Sequence, residues 1–194
     1  MAEKSDEELV RLFSEGKEWA FKELMARYSK KMLNYINRMI YDRDRAEDLL
    51  QETFIRVYRN IDRFDPKRRF STWLYTIATN LAKNELRNIY RCPLLFFENL
   101  SFQKKYRLMF QTADRADKPD NQLYRTQLRD LIARAIKLLP ENQRVIFILR
   151  ETECKSYKEI AEILDCNMGT VKSRLNRART SFARIIEPYL GQGD

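Results

Sequence analysis

Residues 156–184, SYKEIAEILDCNMGTVKSRLNRARTSFAR, admit one local fold: a short capped helix, a turn, and a longer helix lying across the first. Ser156 and Glu159 have the S-x-x-E spacing of a capping box, in which the hydroxyl accepts from the amide three residues on and the carboxylate reaches back. Ile160, Ala161, Ile163 and Leu164 then supply a buried stripe at helical spacing. Asp165-Cys166-Asn167-Met168-Gly169 breaks the period, with Gly169 free to take a backbone conformation that side chains resist, and a second helix is predicted from Thr170. In it Val171, Leu175, Ala178 and Phe182 fall four, three and four residues apart, on the face turned to the first helix. Thr170, Ser173, Asn176 and Arg177 occupy the opposite face. Between Asn167 and Ile185 all five charged residues, Lys172, Arg174, Arg177, Arg179 and Arg184, are basic. A solvated face would accept the same arginines, but a one-signed helix behind a capped short helix and a Gly-containing turn suits phosphates and base edges.

The remainder of the chain reads as helix. Apolar residues recur at three and four, and 4 Gly and 5 Pro in 194 residues leave little reason for sheet, so the expected fold is all-α. A net charge of +9 favours polyanions wherever it is clustered. No apolar run approaches the roughly 18 residues of a membrane span, and MAEKSDEEL is not a signal peptide, so a cytoplasmic protein without membrane insertion is expected. Cys92, Cys154 and Cys166 are far apart without a C-x-x-C pair, and the chain has no histidine. No metal site, disulfide framework or cofactor is therefore expected, and the missing histidine counts against catalytic residues without excluding carboxylate chemistry.

Along the chain, Ser5-Asp6-Glu7-Glu8 has the spacing of another capping box, with Leu9, Leu12 and Phe13 on one side of the helix it opens. Ala20, Phe21, Leu24, Met25 and Tyr28, then Met32, Leu33, Ile36, Met39 and Ile40, continue the pattern as packing residues to a break at Tyr41-Asp42-Arg43-Asp44. A helix over 45–61 buries Ala46, Leu49, Leu50, Thr53, Phe54, Val57 and Tyr58. Its other face carries Asp48, Gln51, Glu52 and Ile55; solvated carboxylates are one reading, and the branched apolar residue beside them favours a protein interface.

After Phe64-Asp65-Pro66 the charge inverts, with six basic residues against the single acid Glu85 over 67–91. In a helix over 71–88, Leu74, Ile77, Ala78 and Leu81 point inward, while Trp73, Thr76, Asn80, Lys83, Asn84 and Arg87 share another face. Aromatics stack on unpaired bases, amides read their edges and cations hold the backbone, which makes a single-strand platform; Trp73 and Tyr75 as core aromatics are the alternative.

Three motifs in this order, AEDLLQETFIRVYRNIDRFD (46–65), RRFSTWLYTIATNLAKNELR (68–87) and the helix-turn-helix, resemble the extracytoplasmic-function sigma factors of bacterial RNA polymerase, group four of the sigma-70 family. The resemblance covers nearly the whole chain. It implies two small helical domains, 1–92 and 123–194, joined by a linker over 93–122, and a non-enzymatic factor that directs transcription initiation. Asp48, Gln51, Glu52 and Ile55 would dock on the clamp of the largest polymerase subunit, with the flap of the second subunit a further contact. Asn80, Phe64, Tyr75 and Ile77 match positions that hold a flipped minus-ten base, and 65–70 (including Lys67, Arg68, Arg69 and Phe70) the specificity loop. Thr72, Trp73, Lys83, Asn84 and Arg87 would support the melted strand. Thr170, Lys172, Ser173, Arg174, Asn176 and Arg177 would enter the minus-thirty-five major groove, with Arg150, Tyr157 and Lys158 near its backbone. Asn167-Met168 departs from the Pro-Val common in the family's turn. The linker either threads a polymerase channel or packs on a domain. The resemblance further implies a monomer when free, promoter DNA both duplex and single-stranded as ligand, and an anti-sigma factor as regulator. Two rivals need none of this: a stand-alone helix-turn-helix regulator on a palindrome, and a DNA-processing enzyme built on Glu47, Asp48 and Glu52.

Overall fold

The computed structural model describes residues 4–91 and 121–190, with side chains placed over 4–88 and 128–189. Helices α1 (Asp6–Ser14), α2 (Glu18–Ile40), α3 (Arg43–Arg59), a 3-10 turn (Ile61–Arg63) and α4 (Phe70–Arg91) form an N-terminal unit. Helices α5 (Asn121–Leu138), α6 (Glu141–Phe147), a π turn (Ile148–Thr152), α7 (Tyr157–Ile163) and α8 (Met168–Leu190) form a C-terminal one. Among the described residues there is no strand, and no helix is long and apolar enough to cross a membrane. Cys92 and the linker segment 93–120 lie outside the described residues.

The N-terminal core joins Leu9 and Phe13 of α1 to Phe21, Leu24, Met32, Ile36 and Met39 of α2, Leu49, Phe54 and Val57 of α3, and Leu74 and Ala78 of α4, all buried. Each large side chain so removed from water contributes about 1.5–3 kcal/mol. Ser5 caps α1, its Oγ accepting from the Glu8 amide at 3.1 Å, but the Glu8 carboxylate pairs with Lys4 at 2.6 Å instead of completing the expected box. At the predicted break Tyr41 takes a left-handed conformation (φ 58°) that ends α2, and Asp42 caps the next helix through the Arg45 amide at 3.0 Å. That cap starts α3 at Arg43, two residues earlier than the apolar period alone suggested, and α3 ends at Arg59 instead of 61.

In the C-terminal unit Ile136, Leu139, Val145, Ile146, Leu149, Ile160, Ile163, Val171, Leu175 and Ala178 are buried together. Leu128 and Ile132 of α5, though at helical spacing with the buried Ala135, Ile136 and Leu139, are 37% and 38% exposed. The two units touch: α4 packs on α7, and α2 on α5 and the π turn.

Candidate nucleic-acid and polymerase interfaces

The capping box at Ser156 is complete. Its Oγ accepts from the Glu159 amide at 3.2 Å, and Glu159 Oε2 accepts from the Ser156 amide at 2.9 Å. Partial burial alone would raise the Glu159 carboxyl, but the two Ser156 hydrogen bonds and the charges of Lys155 and Arg69 hold it below its ordinary value of 4.5.

The turn departs from its sequence reading in two respects. Asp165, not Gly169, takes the left-handed conformation (φ 48°), and α8 starts at Met168 because Asn167 Oδ1 accepts from the Thr170 amide at 2.8 Å. Gly169 lies inside the helix, where a Cβ would meet that Asn167 oxygen at 3.2 Å. Beyond the buried Val171, Leu175 and Ala178, Phe182 stacks on Phe147 with centroids 4.6 Å apart, which fixes α8 across the unit.

This packing turns Lys172, Ser173, Asn176 and Arg177 outward, all exposed, with Thr170 and Arg174 half-buried at their edge. Arg179 is engaged by Glu151 at 2.9 and 2.7 Å, which subtracts one cation from the helix. Beside them Arg150 sits 5.1 Å over the Tyr157 ring and donates to the Lys155 carbonyl, while Lys158 is exposed. One outward face thus carries amide, hydroxyl and guanidinium groups, with Arg150 and Lys158 adding positive charge at its flank.

The α4 surface is divided. Lys67, Arg68, Arg69, Asn80, Asn84 and Arg87 are exposed, and Phe64, Trp73, Thr76, Ile77 and Lys83 half-buried. Asp65 Oδ1 accepts from the Lys67 amide at 2.9 Å and so shapes the basic loop. Trp73 leans on Phe64 (5.2 Å) and Phe70 (6.2 Å), leaving part of its face to solvent.

Phe70, Thr72 and Tyr75, by contrast, are withdrawn from the surface at 0%, 3% and 0% exposure. Phe70 is taken into the aromatic cluster with Tyr28 and Phe64. Tyr75 lies 4.9 Å from the Tyr35 ring, and its hydroxyl donates to Glu153 of the C-terminal unit. Burial, and then that carboxylate, push the Tyr75 hydroxyl far above its ordinary value.

On α3, Asp48 and Gln51 are exposed, Glu52 is half-buried, and Ile55 is 43% exposed. The acidic patch is milder than its sequence, since Arg45 pairs with Asp48 at 3.1 Å and Arg56 with Glu52 at 2.7 Å. Ile55 borders an apolar groove of about 400 Å³ between α2 and α3, lined by Phe21, Met25, Leu50, Gln51, Phe54 and Tyr58.

Tyr58, assigned above to the buried stripe, is 51% exposed, its ring on Phe13 and Phe21 at the groove's end. It stands three residues after Ile55 on the same helix face, so the spacing held the signal for a wider apolar surface. Trp19, 50% exposed at the start of α2, went unremarked in the sequence. Among the described residues no group of His, Cys, Asp and Glu is arranged to hold a metal, and Cys154 and Cys166 are free thiols.

Residues 24–91 match the family model described as sigma-70 region 2, and residues 129–182 that described as sigma-70 region 4. The chain is 37% identical, over 98% of its length and 100% of the relative's, to the ECF RNA polymerase sigma-E factor of Haemophilus influenzae. Its fold is similar to that of CnrH solved with the cytosolic domain of CnrY, with a TM-score of 0.68 at 22% identity over 95% of this chain and 99% of that one. It is also similar to the sigma factor RpoE solved with the anti-sigma factor NepR from Bartonella quintana, with a TM-score of 0.58 at 24% identity over 86% and 96% of the two chains.

Proposed function

The chain belongs to the extracytoplasmic-function sigma factors of the sigma-70 family, which direct transcription by RNA polymerase, and from that premise we propose how its surfaces divide the work. The α3 face with Asp48, Gln51, Glu52 and Ile55, extended by Tyr58, docks on the polymerase clamp. The α4 face opens the minus-ten element and holds its displaced strand, with Trp73 and Phe64 as stacking surfaces, Asn80 and Asn84 reading bases, and Lys67, Arg68, Arg69, Lys83 and Arg87 holding phosphates. Thr170, Lys172, Ser173, Arg174, Asn176 and Arg177 read the closed minus-thirty-five duplex, and Arg150, Tyr157 and Lys158 anchor its backbone.

One observation supports this reading over a stand-alone regulator: an exposed apolar groove with a paired-charge rim sits on α2 and α3 of the N-terminal unit, on helices other than α8, which carries the basic face. Domain boundaries at 92 and 123, a monomeric free chain, the cytoplasm as the place of work, and control by an anti-sigma factor complete the proposal.

Magnitudes set the division of labour. Separating DNA costs about 1.4 kcal/mol per step, so five steps need roughly 7 kcal/mol, whereas stacking returns about 1–3 kcal/mol per captured base. Two captured bases fall short. Polymerase must supply the remaining contacts, so the free chain binds promoter duplex weakly and does not melt it. Permanganate footprinting of promoter DNA with chain alone, core polymerase alone and both tests this: reactive thymines are expected only with both, and melting by the chain alone refutes it.

A further inference from the structure

Helix α4 opens without a cap of its own. Its first turn holds no acidic residue, and Arg69, whose carbonyl accepts from the Trp73 amide at 3.2 Å, stands where a Ser, Asp or Asn would satisfy the orphan amides. Lys67, Arg68 and Arg69 add their charges to the positive end of this 22-residue helix. The missing acceptor comes from α1 instead: Glu7 Oε1 accepts from the Phe70 amide at 3.2 Å, across 63 positions of chain.

The reach of Glu7 is set by its neighbour. Asp6 Oδ1 accepts from Arg27 at 3.0 Å and its second oxygen from the Tyr28 hydroxyl, while Arg27 also donates to the Lys4 carbonyl at 2.8 Å, so the first turn of α1 is tied to α2 on both sides of its cap. The Tyr28 ring in turn meets Phe70 edge-on at 5.6 Å. Phe70 thus has its side chain held by Tyr28 and its amide by Glu7, which gives the 65–70 loop a fixed end. At the other end Asp65 shapes the loop, its carbonyl accepting from the Arg68 amide at 2.9 Å and its side chain from the Lys67 amide at 2.9 Å.

We infer that Glu7 is a positioning residue for minus-ten selection: by capping α4 from another helix, it sets where the 65–70 loop presents Lys67, Arg68 and Arg69 and where Trp73 stands in the first turn of α4. This rests on the assignment of that loop and α4 to the minus-ten element. The match to sigma-70 region 2 begins at residue 24, so α1 lies outside it. Without the Glu7 carboxylate the Phe70 amide loses its acceptor, the first turn of α4 loosens, and contacts that depend on exact placement are lost for the right base more than for a wrong one.

The test is transcription by the full chain with saturating core polymerase on templates that combine a fixed minus-thirty-five element with a randomised minus-ten element. Its readout is the ratio of transcript from the preferred minus-ten sequence to that from single-base variants, a ratio that loss of folded chain leaves unmoved. Glu7→Ala and Glu7→Leu remove the acceptor while keeping good helix formers at an exposed position of α1, and should lower the ratio about three- to tenfold. Glu7→Gln keeps an oxygen acceptor on the same stem and should hold the ratio within about twofold of wild type. Glu15→Gln, which neutralises an exposed carboxylate paired with Arg11, should not change it. Preference at minus thirty-five, read with the minus-ten element fixed, should be the same in every variant. An unchanged ratio in both acceptor-free variants, a ratio as low in Glu7→Gln, or an equal loss of minus-thirty-five preference overturns the role of Glu7. Asn80→Ala on the same templates reports the α4 assignment separately. If it leaves minus-ten preference intact, that assignment fails and the inference with it, whereas a ratio lowered by Asn80→Ala but not by the acceptor-free variants refutes the role of Glu7 alone.

Discussion

Asn167 and Glu159 show how single side chains place α7 and α8. Asn167 caps α8 through the Thr170 amide, and replacing it with Ala should lower the C-terminal unit's stability by about 0.5–2 kcal/mol in urea unfolding. An unaffected midpoint would mean that the cap contributes nothing. Glu159, held below its ordinary carboxyl value, stabilises α7 fully above pH 4.5, and that contribution fades as pH falls through its lowered folded value. Glu159→Gln should therefore narrow the stability difference between pH 7 and pH 3 in thermal unfolding; a difference equal to wild type would exclude the effect. At the DNA, Arg177→Ala should lose about 1–3 kcal/mol at particular bases. Lys158→Ala should weaken every sequence alike and reduce the salt slope by about one. The capping box was legible because it is local, written in Ser156 and Glu159 alone. Gly169 misled because composition marks where a turn can fall, whereas the hydrogen bond from the Thr170 amide to Asn167 decides where it ends.

Helices α3 and α4 each carry two faces, and their inner faces were the more readable. Buried Leu49, Phe54 and Val57, or Leu74, Ala78 and Leu81, follow the helical period because a core must. Tyr58 fell outside that logic: the groove opens beside it, and whether a neighbouring helix reaches an aromatic is a tertiary fact. Tyr75 failed in the opposite sense, since what covers it comes from residues near 153, far along the chain. On the outer face of α3, Asp48→Lys or Ile55→Arg should weaken core polymerase binding at least tenfold with helix content unchanged, because a charge placed at an apolar contact must be desolvated. Duplex binding through α8 should be untouched; equal loss of both activities would contradict the placement of that surface.

For the molecule as a whole, the fold class and the order of the two units were legible, since helical periodicity and short capped motifs recur throughout and little else competes with them. Their mutual docking was not, because buried polar contacts such as Glu153 with Tyr75 leave no periodic trace. The net charge of +9 lies mostly where DNA is proposed to pass, so affinity for promoter DNA should fall steeply with salt, while polymerase docking proposed at the groove between α2 and α3, apolar at its centre, should respond less. Transcription reconstituted from the purified chain, core polymerase and a library of promoters randomised around minus ten and minus thirty-five bears on the central claim most directly. Selected templates should share two asymmetric elements at fixed spacing and yield transcripts only when chain and polymerase are both present. Recovery of symmetric operators bound by a dimer without polymerase, with no transcript in its presence, would contradict it.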